Sequence, residues 1–306
     1  MTADDLLRRL KALLDSTAPK DALAAFRGFK AAYPADQHAL LDAGFDLFAL
    51  GQLVVAAERL IVVALIHGIR TAAGWQELAR EALAVNGKVV VSPIGYGYLD
   101  VIRFLGPWRK EAIAKVEHEL RDMQRLHKDS DLVVMAHSFG TYIVSNILKD
   151  SPDIRIKRLL LCGSIIPTAY RWDSLPHEFT NQTCVNEVGT RDIWPVFARV
   201  ASFGYGASGS FGFKTSRVWD RFFDYRHSDF FTDVHFKTFW RPFILEGQVV
   251  ASPWDAKRPT PSWLISVLGG IPMVKGLLLL ALGLVGTLVF WVSTKALNWL
   301  GASPPI

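Results

Sequence analysis

The sequence contains little cysteine and no concentrated charge of one sign. Its 306 residues include only 2 cysteines, Cys162 and Cys184, and both lie in apolar runs. This excludes a disulfide-stapled scaffold and predicts reduced core thiols, as in a cytosolic domain. The net charge is +5, and no stripe of Lys and Arg alternates with aromatic residues, so we expect no nucleic-acid partner. No set of histidines has the spacing of metal ligands, so no metal is expected.

The first 58 residues lack both a signal-peptide core and a repeat at a fixed period. Apolar residues follow a helical spacing from residue 4 onwards, with breaks at Pro19, Pro34 and Gly51. Nothing in the first ten residues directs secretion. Residues 40–60 resemble one tetratricopeptide-type repeat, but a single repeat does not bury its own face. Residues 1–58 are therefore predicted to be a helical extension packed on the next domain, with a partner-binding arm as the alternative.

From residue 60 the pattern alternates between strands and helices. Short, strand-like runs occur at 60–66, 88–91, 131–136, 156–162, 183–188 and 216–220. This alternation predicts a mostly parallel sheet with helices on both faces, in a domain spanning 59–250. Because such crossovers are right-handed, the loops that follow the strands meet at one edge of the sheet, where we expect the site.

The stretch from Asp131 to Gly140 is the most informative one. Its apolar run ends in Ala136-His-Ser-Phe-Gly140, and a helical spacing begins at Gly140. A strand that turns sharply into a helix strains the middle residue of the corner, so small residues are needed two positions to each side. Ala136 and Gly140 meet that need. Ser138 is thus expected at the sheet edge, above a helix N-terminus that stabilises negative charge.

This corner resembles the nucleophile elbow of α/β-hydrolases, with alanine in place of the first glycine. The resemblance covers about residues 60–246 and implies that Ser138 is a catalytic nucleophile. Ser164 is a weaker candidate because it lacks such a corner. The resemblance also implies an oxyanion hole made by two backbone N–H groups, that of Ile69 after the His67-Gly68 pair and that of Phe139.

The same resemblance implies the chain order serine, acid, histidine. Asp192, in the loop after the 183–188 strand, would orient the histidine; the alternative, Glu187, lies inside that strand. His227 is the expected base, because its surroundings are similar to the catalytic-histidine segment of several lipase-like members. The alternative is His235. Residues expected to contact substrate are His67, Gly68, Tyr96, His137 and Trp172.

The C-terminal part has a different composition. A proline-rich linker is predicted at 251–263, and residues 276–292 are uncharged and close to the roughly 20 residues that span a bilayer. We therefore predict one transmembrane helix within 264–306. Gly283 and Thr287 would allow a homodimer through that helix. Basic residues are more frequent before the span than after it, which predicts a cytoplasmic large domain: Lys257, Arg258 and Lys275 against Lys295.

Taken together, the patterns predict a membrane-anchored serine hydrolase. It would cleave a carboxylic ester of a lipid, or an acyl ester or thioester, through an acyl-enzyme and without a cofactor. Its expected partners are the acylated substrate and the bilayer. The alternative is a membrane-tethered scaffold in which the hydrolase fold has lost its activity and the N-terminal helices bind a partner.

Overall fold

The fold was analysed in a computed structural model that describes residues 59–68, 74–83, 88–95, 109–270 and 274–301, with a few single positions among the first 32. Three predictions fall outside the described residues: most of the helical extension at 1–58, the oxyanion donor Ile69 and the substrate contact Tyr96. The described chain is organised around one sheet.

All strands of this sheet are parallel, and they lie in the order β2-β1-β3-β4-β5-β6. Their bounds are β1 Ile61–Ile66, β2 Val89–Ile94, β3 Asp131–His137, β4 Arg158–Cys162, β5 Cys184–Gly189 and β6 Trp219–Phe223. The central strands are almost continuously buried, as expected when helices cover both faces of a sheet. The predicted mostly parallel sheet is confirmed.

Most of the described helices are short, and only α2, α3 and α9 are longer than ten residues. The bounds of the helices are α1 Gly74–Leu83, α2 Arg109–Leu126, α3 Phe139–Asp150, α4 Trp194–Ala201, α5 Ser208–Phe211, α6 Asp233–His235, α7 Arg241–Glu246, α8 Trp263–Gly270 and α9 Val274–Gly301. A π-helical turn, Phe236–Trp240, joins α6 to α7, and a 3₁₀ turn covers Trp172–Ser174.

Two apolar cores lie on opposite faces of the sheet. Alternate residues of a strand point to opposite faces, so Val62 and Ala64 of β1 join one core, whereas Val63 joins the other. Helices α2 and α3 cover the first face. Helix α1 and the 236–246 segment cover the second. This arrangement leaves the carboxyl edge of the sheet to the loops.

The C-terminal part differs from the sequence prediction. No helix in the described residues is long and apolar enough to cross a membrane, so the transmembrane helix predicted within 264–306 is not found there. The segment predicted as a linker is attached to the edge strand β6. Asp255 accepts the backbone N–H of Phe222 at 3.1 Å and the indole N–H of Trp219 at 3.3 Å, and the Ser252 hydroxyl donates to the Phe222 carbonyl.

A buried ion pair joins β5 to β6. Glu187 and Arg221 lie directly opposite each other in the sheet and are fully buried. Arg221 Nε lies 3.1 and 3.2 Å from the two carboxylate oxygens, and the indole N–H of Trp240 donates to the carboxylate at 2.7 Å. Burial raises the pKa of Glu187, but Arg221 and His235 together outweigh burial and lower it to about 2. The pair therefore fixes the register of the two strands as a charged unit.

Replacing one partner of this pair should be severely destabilising. Arg221→Met leaves the Glu187 carboxylate buried without its countercharge, and we expect a loss of about 3–5 kcal/mol in the free energy of unfolding. Urea unfolding at pH 7 measures it. The control is Arg191→Ala, which breaks the exposed Arg191–Asp224 pair at 2.7 Å and should cost less than about 1 kcal/mol.

The pH dependence follows from the same carboxylate. Because its folded-state pKa of about 2 lies below the ordinary value of 4.5, its contribution is complete above pH 4.5 and is lost as the pH falls towards 2. In Arg221→Met this dependence should reverse, because burial then raises the pKa of the unpaired carboxyl, and its protonation at low pH removes the buried charge. If Arg221→Met and Arg191→Ala lost the same free energy of unfolding at pH 7, the role of the buried pair would be contradicted.

Candidate active site

Ser138 occupies a strained corner between β3 and α3. Its backbone has φ 54° and ψ −119°, and it is the one non-glycine residue with positive φ in the described chain. Such a conformation costs on the order of 1–3 kcal/mol and persists only where the surroundings hold it. Its N–H donates to the carbonyl of Cys162 at 2.9 Å, which ties the corner to the end of β4.

Two glycines let the end of β1 lie directly against this corner. A Cβ on Gly140 would lie 2.4 Å from the carbonyl oxygen of Ile66, and a Cβ on Gly68 would lie 2.7 Å from the Cβ of Ser138. Any side chain at either position would separate β1 from the corner. The requirement for a small residue after the serine therefore comes from backbone packing against the neighbouring strand.

Thr141 holds the carbonyl of the strained residue. Its buried hydroxyl donates to the Ser138 carbonyl at 2.6 Å and accepts the backbone N–H of Ile165 at 3.1 Å. The hydroxyl thus connects the first turn of α3 to the loop after β4.

Asp192 and His227 form a hydrogen-bonded pair. Asp192 Oδ2 lies 2.7 Å from His227 Nδ1; the carboxylate is 0% exposed and the histidine side chain 16% exposed. The other carboxylate oxygen accepts the Trp194 N–H at 3.1 Å. Because a carboxylate accepts the proton of Nδ1, the neutral ring has an unprotonated Nε2 that can take up a proton.

An extension of the β5–β6 ladder brings this pair together. Beyond the strand ends, the N–H of Thr190 donates to the Phe223 carbonyl at 3.0 Å, and the N–H of Arg191 donates to the Tyr225 carbonyl at 3.1 Å. The Ser210 hydroxyl donates to the backbone carbonyl of Asp192 at 2.7 Å. The side chains of Asp192 and His227 are therefore positioned by the sheet, because each lies within a few residues of a hydrogen-bonded strand.

Gly163 brings the pair next to the serine corner. It follows β4 with φ 55°, and a Cβ there would lie 2.7 Å from His227 Cε1 and 3.3 Å from Asp192 Oδ2. The preceding residue, Cys162, accepts the Ser138 N–H. The end of β4 thus contacts all three residues of the predicted serine, acid and histidine set. In the described residues the Ser138 hydroxyl has no hydrogen bond to His227, and such bonds often form fully only with substrate bound.

His137 lies beneath His227 rather than in a substrate path. Its side chain is buried, with 1% exposure, and its ring centroid lies 4.5 Å from that of His227 and 4.9 Å from that of Phe231. Burial, and then the nearby His227, hold the pKa of His137 well below its ordinary value, so the ring is neutral. The predicted substrate contact is instead a packing support for the histidine.

The other predicted contacts are divided between site and core. Gly68 lies against Ser138, and the half-buried His67 has its Nδ1 2.6 Å from the Gly68 carbonyl. Trp172, predicted to contact substrate, is 2% exposed and packs in the core, where its ring lies 5.1 Å from that of Phe213. Trp172 is buried because Phe213, from a distant segment of the chain, packs against its ring.

The alternatives for each role are buried, and each contacts other groups of the fold. Glu187 belongs to the ion pair with Arg221, and His235 Nε2 lies 3.7 Å from that carboxylate. Ser164 is fully buried and accepts the Ser208 hydroxyl at 2.8 Å. Within the described chain, no cluster of histidine, cysteine and carboxylate residues is able to hold a metal ion.

Sequence reasoning missed Gly163, Thr141 and Ser210, which support the site. The one local signal was a glycine directly after a strand, Cys162-Gly163, which is typical of a position where backbone approaches another group. The Ser210 hydroxyl has no local signature, because its acceptor, the Asp192 carbonyl, is 18 residues away in the chain. The Thr141 hydroxyl has a local acceptor, the Ser138 carbonyl, but its second partner, the Ile165 N–H, comes from the loop after β4.

No protein-family model matches the sequence, and no curated protein matches it. A solved cutinase-like protein from a Cryptococcus species is 11% identical, with a TM-score of 0.38 over 63% of this chain and 97% of that one. An α/β serine hydrolase without a lid from Xanthomonas campestris is 14% identical, with a TM-score of 0.39 over 63% and 84%. A predicted CIB-like hydrolase from Thermoplasma acidophilum is 15% identical, with a TM-score of 0.38 over 57% and 82%. Each of these TM-scores is below 0.5, so these similarities do not establish what the site does.

Adding one methyl group at Gly163 should displace the histidine. In Gly163→Ala, the new Cβ overlaps His227 and strains a left-handed backbone, so hydrolytic activity should fall at least about 100-fold, the scale expected for a misplaced catalytic group. The control is Gly247→Ala, which carries the same kind of strain at φ 74° but faces Arg158. Similar activities of the two folded variants would contradict the placement of His227.

The hydroxyl of Thr141 should matter more than its volume. Thr141→Val keeps the shape and the backbone N–H that also donates to the Ser138 carbonyl at 3.0 Å. It removes the hydroxyl donor to that carbonyl and the acceptor of the buried Ile165 N–H, so the loss of stability should be about 1–3 kcal/mol. Thr141→Ser keeps the hydroxyl and should retain most of the reactivity of Ser138 towards a fluorophosphonate. If valine and serine variants react at the same rate, the hydroxyl does not hold the corner.

Proposed function

We propose that this protein is a serine hydrolase that cleaves a carboxylic ester through an acyl-enzyme. Ser138 is the nucleophile, His227 the general base and acid, and Asp192 the residue that orients His227. The single observation that carries the proposal is the meeting of a strained Ser138 with the Asp192–His227 pair, 2.7 Å apart, around the end of β4. Positive φ at a non-glycine residue is costly, and it accumulates at functional sites.

The geometry supports a complete catalytic cycle. Ser138 Oγ attacks the acyl carbon while its proton passes to Nε2 of His227, and the resulting imidazolium is stabilised by Asp192. Collapse of the tetrahedral intermediate breaks the bond to the leaving group, which takes the proton from Nε2. Water then attacks the acyl-enzyme with His227 again as base, and the products are a carboxylic acid and an alcohol or thiol.

The position of α3 supports charge stabilisation in that cycle. Phe139 is the first residue of α3 and directly follows Ser138. The dipole of a helix favours negative charge at its N-terminal end. We propose the N–H of Phe139 as one oxyanion donor, a role worth roughly 3–4 kcal/mol of barrier. Ile69 is proposed as the second donor on the sequence resemblance alone.

The surface beside His227 favours an acylated, apolar substrate. Trp194 follows Asp192 closely, is 60% exposed, and has its ring centroid 6.5 Å from that of His227. We propose a carboxylic ester of a lipid, or an acyl ester or thioester, as the substrate class. Hydrolysis of such a bond requires only water and the three side chains, so the proposed reaction includes no cofactor.

Covalent labelling tests the proposal. A fluorophosphonate should label the full-length protein once, because only an activated serine attacks the phosphorus. Labelling should be lost in Ser138→Ala and reduced at least about 100-fold in His227→Ala. The matched control is Ser164→Ala, which removes a buried serine hydroxyl near the site and should still be labelled. A folded parent protein that remains unlabelled would contradict the proposal and favour the scaffold alternative.

A further inference from the structure

Helix α4 presents an aromatic face to solvent. Trp194 and Phe197, three residues apart and therefore on one side of the helix, are 60% and 45% exposed. Pro195, Val196 and Ala198 of the same helix are buried. A surface helix ordinarily has polar residues on its outward side, so this helix departs from the usual pattern.

This face begins at the candidate catalytic residues. Asp192, two residues before Trp194, accepts its backbone N–H at 3.1 Å. The ring centroid of Trp194 is 6.5 Å from that of His227, and the ring centroid of Phe197 is a further 6.1 Å from that of Trp194. The two side chains thus form a track that leads outward from the proposed base.

The chemistry of the track suits an alkyl chain. Helix α4 contains no acidic residue, and its one charged residue is Arg199. A chain lying on the track would therefore cover ring surface without stripping water from a carboxylate. Adjacent exposed aromatic residues beside a reactive centre mark a binding surface.

We propose that the outward face of α4 binds the acyl chain of the substrate, with Trp194 and Phe197 as specificity-determining residues. This inference rests on the proposed function and narrows it: the preferred substrate carries an acyl chain long enough to extend past His227 onto the two rings. Each methylene group that the rings remove from water favours binding, so the rate on monomeric esters increases with chain length.

The test is the dependence of kcat/KM on acyl length for p-nitrophenyl esters kept below their aggregation concentration. We expect the ratio of the dodecanoate to the acetate ester to fall about tenfold in Trp194→Ala and less in Phe197→Ala, because each loses ring surface under the chain. Trp194→Phe should recover most of the ratio. The backbone N–H that Asp192 accepts is present in every variant.

The control variant is Leu126→Ala. Leu126 is a large exposed apolar residue at the end of α2, which leads into the amino end of β3, at the edge of the sheet opposite Ser138. Its substitution should leave the chain-length ratio unchanged. An unchanged ratio in Trp194→Ala would overturn the proposal. A loss seen only with esters in vesicles, and not with monomeric esters, would also overturn it and assign the face to a lipid surface.

A binding measurement separates this inference from the proposed function. In Ser138→Ala, which does not turn over, the affinity for dodecanoate by calorimetry should fall about tenfold when Trp194→Ala is added. If the parent hydrolyses no ester but dodecanoate binding still depends on Trp194, the proposed reaction fails and the binding face remains. If esters are hydrolysed but dodecanoate binding does not change in Trp194→Ala, the proposed acyl-chain binding by α4 is wrong and the proposed hydrolysis still holds.

Discussion

The contact of backbone on backbone between the end of β1 and the serine corner is the constraint on which the site depends. Gly140 and Gly68 leave no room for a side chain, and the Ser138 backbone is held at φ 54° between β1 and the end of β4. Since the strain is offset by neighbouring strands and by the Thr141 hydroxyl, the nucleophile is presented by the sheet itself. The same packing sets the start of α3 and therefore the direction of its N-terminal N–H groups.

The acid and the base depend on a second constraint, the pairing of β5 with β6. The buried Glu187–Arg221 pair holds these strands in register, and their ladder continues for two more hydrogen bonds into the loops. Asp192 and His227 follow within a few residues, so their separation is determined by strand geometry. Gly163, at the end of β4, then brings this pair against the serine corner. The ends of strands β3 to β6 thus supply the three candidate catalytic side chains and Gly163.

Patterns within short stretches of sequence predicted the buried strands and the serine corner. Continuous apolar runs identified the buried strands, and small residues around Ser138 identified the corner, because both properties are visible within ten residues. Strand β6 was predicted at 216–220 and lies at Trp219–Phe223, since its inward Arg221 is charged and breaks the apolar pattern. The roles of Trp172, His137 and Thr141 depend on partners from distant segments, Phe213, His227 and Ile165, which no local pattern reveals.

The central claim is that Ser138 forms a covalent acyl intermediate. Acid quenching during turnover of an activated ester, followed by mass spectrometry of the peptides, tests it directly, because the ester bond to serine survives at low pH. We expect one acyl group per chain, located on the peptide that contains Ser138, with deacylation slowed in His227→Ala. Hydrolysis with no acyl group on Ser138, or with the acyl group on Ser164, would contradict it.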